Sequence, residues 1–275
     1  MPDNVREFEF SDADFRYIAD FARAKVGIAF SQQKKEMIYS RLSRRLRALD
    51  LSDFAEYRSL LESKQGITEI ENLVNAVTTN ITSFFRESHH FDHVVKTVVP
   101  EIIASGERRM RFWSAGCSMG MEAYSLAASL ASAVPDVAQW DIKILATDID
   151  TNVLVTGREG IYDEQQLSKI PPALAKKYFT HHREQEQMEV SEVLKRMVSF
   201  KPLNLLEPWP VKGPFDAIFC RNVVIYFDKN IQRKLFERFS QLLKPQGWLY
   251  IGHSENLFNV SDAFELLGRT IYRKR

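Results

Sequence analysis

Only two cysteines, Cys117 and Cys220, occur in the 275 residues of this chain. That is too few for a disulfide framework and fits a reducing compartment, so a cytoplasmic location is expected. No apolar run approaches the roughly 20 residues needed to span a bilayer, and no membrane insertion is expected. The opening residues, MPDNVREFEF, contain no charged-then-apolar leader, so no export signal is expected either. An excess of one charge is lacking too. The 37 Lys and Arg stand against 36 Asp and Glu, and a net charge of +1 names no partner. There is no internal repeat and no low-complexity tract. Without G-x-S-x-G a serine hydrolase is unsupported. His89, His90 and His93 lie close together, but no H-E-x-x-H and no nearby cysteine pair accompany them, so no metal is expected. Neither a G-x-G-x-x-G fingerprint nor a Lys-Ser/Thr phosphate loop follows any strand-like run.

What is present is concentrated in RMRFWSAGCSMGMEAYSLAASLA, which starts at Arg109. Arg111, Trp113 and Ala115 alternate with Phe112 and Ser114 as far as Gly116. Gly116, Cys117, Ser118 and Gly120 form a turn of small residues through which backbone can approach a ligand. Residues 122–133 then carry Tyr124, Leu126, Ala127 and Leu130 at helical spacing. A strand, glycine turn and helix in this order open the ligand crevice of nucleotide-binding α/β sheets. The same pattern also serves simply to pack a strand on a helix.

The chain divides in character. Up to about Phe85 the patterns are helical, over residues 11–24, a basic stretch 34–47, 52–61 and 68–78. In the basic stretch Ile38, Leu42, Leu46 and Leu49 recur at helical spacing beneath Lys34, Lys35, Arg41, Arg44, Arg45 and Arg47. That outer face is either solvated or a docking surface for something acidic. Beyond His89, apolar runs (RMRFWSA, DIKILATDID, FDAIFCRNVVIYF, GWLYIGHSE) alternate with helical ones at 122–133 and 230–243. This predicts a mostly parallel sheet covered on both faces, ending in an antiparallel pair over AFELLGRTIYRKR. A helical domain over 1–85 and an α/β domain over 86–275 are expected. Val190, Val193, Met197 and Val198 suggest short strands in an insert over about 177–201. The thiols of Cys117 and Cys220 read as small core residues.

Polar residues at strand ends supply the candidate chemistry. Asp148, just past an apolar strand, is suited to accept hydrogen bonds from ribose hydroxyls. Asp150 is the alternative, unless it only caps a helix. Arg221 and Asn222 end a second apolar run, where unpaired polar groups would be costly; Tyr226 and Asp228 follow. Asn80, Thr82 and Arg86 are interleaved with Ile81, Phe84 and Phe85 in TTNITSFFRES, which reads either as a helix linker or as part of a site. His181 and His182 lie in a polar stretch, and His253 ends a strand near the expected crevice.

Six motifs in order, TNITSFFRE, SAGCSMGMEAYSLA, ATDID, NLLE, FDAIFCRNVVIYFD and GHSE, resemble the chemotaxis receptor methyltransferases, the CheR family. The likeness covers nearly the whole chain. It implies an α/β fold in which a Rossmann-like class I methyltransferase domain, carrying a small β-subdomain insert, follows an all-helical N-terminal domain. It implies transfer of methyl from S-adenosylmethionine to glutamate side chains of chemoreceptors, with S-adenosylhomocysteine as product and no metal. By the same resemblance Asn80, Thr82 and Arg86 reach the cofactor and the transfer site. Glu122 lies toward the methionine end and Asp148 toward the ribose. Asn204 and Leu205 border the adenine, Arg221 and Asn222 lie under the cofactor, and Tyr226 stands near the reacting methyl. Arg86 and Tyr226 are the expected catalytic pair, and Arg41, Arg44 and Arg45 the expected receptor-docking face. The partners that the resemblance implies are the cytoplasmic domains of chemoreceptors, and neither nucleic acid nor an oligomeric enzyme is expected.

Some positions depart from the family pattern. Met119, Met121 and Ala123 stand where a threonine, an acid and a proline are usual. The stretch THHREQEQMEV has no glycine, so no tether to a receptor's C-terminal pentapeptide is expected. A methyltransferase of the same fold acting on RNA or a small acid would call for a basic or aromatic groove near the sheet. A non-catalytic cofactor sensor would be expected to lack Arg86, Tyr226 or Asp148.

Overall fold

The computed structural model describes residues 6–182 and 186–275, with the side chain of His182 excepted. Residues 183–185 of THHREQEQMEV therefore lie outside the described residues. Two compact units emerge. One contains the chain up to Thr79 together with Tyr226–Asp228; the other contains Asn80–Ile225 and Lys229–Arg275. The break falls between Thr79 and Asn80, so all of TNITSFFRE beyond Thr79 is part of the second unit.

The first unit is helical: α1 (Asp12–Val26), α2 (Lys35–Ala48), α3 (Phe54–Glu62) and α4 (Ile67–Val77). Ser11 caps α1 in a capping box with Asp14, and Gly27 ends it in the left-handed conformation. Asp53 caps α3 through Ala55 and Glu56. Phe15, Ile18, Ile38, Leu42, Leu46, Phe54 and Leu73 form the core. Glu69 is buried in it, bound by Arg45 (Nη2–Oε2 2.5 Å) and by the Tyr57 hydroxyl (2.8 Å). Arg41 donates to the carbonyls of Ala76 (3.0 Å) and Thr78 (2.5 Å) at the end of α4. Arg41 and Arg45 thus hold the helices together, and of Arg41, Arg44 and Arg45 only Arg44 is exposed.

The second unit begins with α5 (His89–His93), one π-helical turn and α6 (Val99–Ala104). Next come β1 (Arg109–Ala115), α7 (Met121–Ala133), β2 (Asp141–Asp148) and α8 (Thr151–Glu159). Then follow β3 (Ile161–Asp163), α9 (Pro172–Tyr178), β4 (Phe179–His182), β5 (Gln187–Val190), α10 (Glu192–Lys195) and β6 (Val198–Pro202). The chain ends with β7 (Phe215–Cys220), α11 (Lys229–Leu242), β8 (Leu243–Ile251), β9 (Phe264–Gly268) and β10 (Ile271–Lys274). The large sheet has the order β6-β2-β1-β7-β8-β10-β9, parallel from β6 to β8, with β10 antiparallel to both neighbours. β1 and β7 pair directly, so the strands leading to Cys117 and Cys220 are neighbours.

A small sheet, β3-β5-β4, sits apart from the large one. Its range differs from the expected insert at both ends. β3 joins it from residues 161–163, because Ile161 to Asp163 pair with Gln187 to Glu189. Val193 lies on α10, and Val198 begins β6, which pairs parallel with β2 as an edge of the large sheet. No helix among the described residues is long and apolar enough to cross a membrane.

Candidate active site

The parallel strands β2, β1, β7 and β8 all point their carboxyl ends to one edge, and Glu122, Asp148, Arg221 and Asn222 lie at or just beyond those ends. At the end of β1, Gly116 takes φ +86° and Ser118 φ +49°. The Thr147 carbonyl of β2 fixes the turn by accepting the N–H groups of Gly116 (2.8 Å) and Cys117 (2.9 Å). Its hydroxyl accepts the indole N–H of buried Trp113 (2.9 Å). Val223, on the loop after β7, occupies the space in which a side chain on Gly116 would stand.

Asp148 ends β2. Its carboxylate accepts the Ser118 N–H (2.8 Å) from the glycine turn and the Asp150 N–H (3.0 Å). Burial pushes the carboxyl up, against the pull of these N–H groups. Asp150 is the N-cap of α8 through Asn152 N–H (2.9 Å), and its other oxygen accepts Asn80 Nδ2 (2.7 Å). The carbonyl of Asn80 in turn accepts the Ser118 hydroxyl (3.2 Å). Asn80 thus ties the segment before α5 to both the glycine turn and the end of β2. Leu203 N–H donates to the Asp148 carbonyl (2.9 Å), which brings Asn204 and buried Leu205 to the same edge. Asn204 caps its own turn by accepting Leu206 N–H (3.0 Å).

On the other side of β1 lies a buried charge cluster. Glu122, in the first turn of α7, accepts the Ser114 hydroxyl (2.6 Å) and Arg221 Nη1 (3.1 Å). Burial raises its carboxyl while Arg221 opposes that shift. Arg221 also donates to the Arg86 carbonyl, pairs with Glu87 (3.4 Å) and lies over the Phe91 ring at 5.7 Å. Its Nε is buried with no hydrogen-bond partner among the described residues. For Glu87, burial works upward, but His253 and Arg221 outweigh it and hold the carboxyl low. Arg86 itself donates to the Ile81 carbonyl (3.0 Å), and its side chain is half-buried, as is Thr82. Asn222 follows in the left-handed region (φ +60°).

Tyr226 clusters with the helical unit, where its carbonyl accepts Ala29 N–H (3.2 Å). Met121 is buried and Met119 packs against the same core, while the Met119 carbonyl accepts the Tyr162 hydroxyl (2.6 Å). Apolar side chains at these turn positions thus face the protein interior. Glu87, His89 and His90 bring ligating atoms within 4.8 Å of one another. The positive charge beside Glu87 is the Arg221 guanidinium, and both ring Nε2 atoms lie within 3.1 Å of the Arg269 carbonyl. Cys117 and Cys220 are buried thiols that burial pushes well up, so neither is a poised nucleophile.

Sequence reasoning passed over Glu87 and Glu255, the two acids that organise the Arg221 side. FRES and GHSE contain them, but neither motif has a periodicity that marks an acid as buried.

Residues 80–273 match the model of the CheR methyltransferase SAM-binding domain, and residues 13–78 match that of the CheR methyltransferase all-alpha domain. The chain belongs to the CheR methyltransferase family. It is an S-adenosylmethionine-dependent methyltransferase with a Rossmann-like class I domain behind an all-helical one. The chemotaxis protein methyltransferase of Salmonella typhimurium is 45% identical over 275 residues, covering 98% of this chain and 92% of that protein. The chemotaxis protein methyltransferase of Escherichia coli is 44% identical over 270 residues, 95% of this chain and 91% of that one. A probable chemotaxis protein methyltransferase of Rhizobium etli is 44% identical, over 90% of this chain and 94% of that protein. The CheR SAM-binding model starts at Asn80, the residue that opens the second unit.

Proposed function

We propose that this CheR-family chain methylates glutamate side chains in the cytoplasmic domain of chemoreceptors, giving glutamate methyl esters and S-adenosylhomocysteine, as an adaptation step in bacterial chemotaxis. The observation that carries the reading is the arrangement of Glu122, Asp148 and Arg221 around the Gly116 turn. A cationic amino group and ribose hydroxyls each find a complementary group there: Glu122 suits the amino group and Asp148 the hydroxyls. Arg221, which holds Glu122, lies under the cofactor. Asn80 and Thr82 close the crevice on one side, Asn204 and Leu205 border the adenine, and Asn222 lies below.

S-Adenosylmethionine supplies a methyl group on a sulfonium, ready for in-line displacement. A glutamate carboxylate, with a reference pKa of about 4.3, is already anionic at neutral pH. The chain's residues therefore need only align the two partners and limit solvation of the nucleophile. Arg86 orients the incoming carboxylate through a charge-assisted pair, and Tyr226 helps to position it. Arg44, exposed beside Arg47 and Arg6, offers positive charge to an acidic receptor surface. The enzyme works in the cytoplasm as a monomer, without metal, nucleic acid or a pentapeptide tether.

The test is methyl transfer from labelled S-adenosylmethionine to receptor cytoplasmic fragments, with glutamate-to-alanine receptors as controls. Wild type labels the receptor and Arg86→Ala loses at least about tenfold in rate, the value of one charge-assisted pair. Label that persists on glutamate-free receptor, or an Arg86→Ala rate near wild type, overturns the reading. Micromolar binding of a receptor C-terminal peptide would overturn the untethered mode.

A further inference from the structure

Glu255 follows β8 and is buried. Its two carboxylate oxygens collect four backbone N–H groups. Oε2 accepts Gly252 (2.5 Å) and Asn222 (2.9 Å), while Oε1 accepts Val224 (2.9 Å) and Ile225 (3.3 Å). These donors come from two different strand ends, the exit of β7 and the exit of β8. The ends approach so closely that a Cβ on Gly252 would overlap Asn222. The carboxylate therefore brackets one loop against the other and compensates the left-handed backbone of Asn222.

The bracketed loop bears directly on the cofactor crevice. Arg221 immediately precedes it and holds Glu122. Val223, at its centre, fills the space over Gly116. The loop's other side is tied by Gln232 of α11, whose Nε2 donates to the Val224 carbonyl (2.8 Å).

We propose that Glu255 is a positioning residue for S-adenosylmethionine: its carboxylate sets residues 222–225, and through Val223 and Arg221 it sets the floor beneath the Gly116 turn. This rests on the reading of the Gly116–Asp148–Arg221 crevice as the cofactor site. A glutamine at this position keeps the size but replaces one accepting oxygen with an NH2 group that faces backbone donors.

The experiment compares wild type with Glu255→Gln in S-adenosylhomocysteine binding by calorimetry, in KM and kcat, and in thermal melting. The expected result is a Kd and a KM for S-adenosylmethionine each raised at least tenfold, with kcat at saturating cofactor within about threefold of wild type. A residue that only stabilises the fold would lower the melting temperature and the active fraction while leaving Kd and KM of the folded fraction unchanged. That outcome overturns the proposal. Glu255→Asp keeps the charge and is expected to recover part of the affinity; no recovery overturns the bracket. If neither variant folds, amide exchange in the wild type decides: S-adenosylhomocysteine should slow exchange at Asn222, Val224 and Ile225, and unchanged rates overturn the role. Binding of S-adenosylhomocysteine needs no receptor, so failure of the receptor-glutamate reading leaves this result intact.

Discussion

Val223 stands where Gly116 would otherwise carry a side chain. The contact joins the loop after β7 to the turn after β1. It requires both a residue without a Cβ and a backbone at φ +86°. Gly116→Ala is expected to cost about 1–2 kcal/mol for the left-handed alanine. Overpacking against Val223 adds about 1–3 kcal/mol. Chemical melts should record the sum. Adding Val223→Ala should relieve the second part only, so the double variant recovers part of the lost stability and the conformational cost remains.

Arg221 places one guanidinium between Glu87 and Glu122. Removing one partner of a buried ion pair leaves uncompensated charge and costs about 3–5 kcal/mol. Arg221→Met is expected to lose that much in urea melts. Arg221→Lys should recover little, because one ammonium cannot serve Glu122, Glu87 and the Arg86 carbonyl as a planar fork does.

In the helical unit, Arg44 and Arg45 are adjacent but opposite in consequence. Arg45 satisfies buried Glu69, so Arg45→Ala should lower the stability of that unit by about 1.5–3 kcal/mol. Arg44 is exposed, so Arg44→Glu should leave melting within about 0.5 kcal/mol of wild type. The same variant should weaken receptor binding, most at low salt. Melting curves paired with receptor pull-down at two ionic strengths separate the two effects.

His90 supplies a pH dependence of known sign. Burial first, and then Arg221, push its pKa down to about 3. The unfolded chain holds histidine near about 6.5, so it binds a proton that the folded chain refuses. The contribution of His90 is therefore intact above pH about 6.5 and is lost as pH falls toward 3, at up to about 1.4 kcal/mol per pH unit. The difference in stability between wild type and His90→Gln, followed from pH 7 to pH 4, should shift steadily in favour of the variant. A constant difference would contradict it.

The change from helical to alternating α/β patterning was legible because periodicity reports burial directly. The strand, glycine turn and helix around Gly116 were legible for the same reason, and Asp148 because it follows an apolar strand. Three features were not. An amphipathic pattern cannot reveal that Arg41 reaches around to the last carbonyls of α4, or that Glu69 is buried while nearby Ile67 is largely exposed. Three residues, Ile161–Asp163, are too few for a period, so β3 could be found only through its partner β5. Glu87 and Glu255 act on backbone N–H groups and on Arg221, contacts that depend on which strand ends meet in space. The fold was thus more readable than the site's supports, since the supports are made by long-range pairs.

The indole of Trp113 is bonded to the Thr147 hydroxyl, and the carbonyl of that same threonine holds the N–H groups of Gly116 and Cys117. Its ring also meets Trp209 edge-on at 5.0 Å. The glycine turn is therefore wired to an intrinsic fluorophore through one residue. A rearranged turn that displaces Thr147 is expected to change the surroundings of the excited Trp113 indole, a change that stopped-flow fluorescence would read.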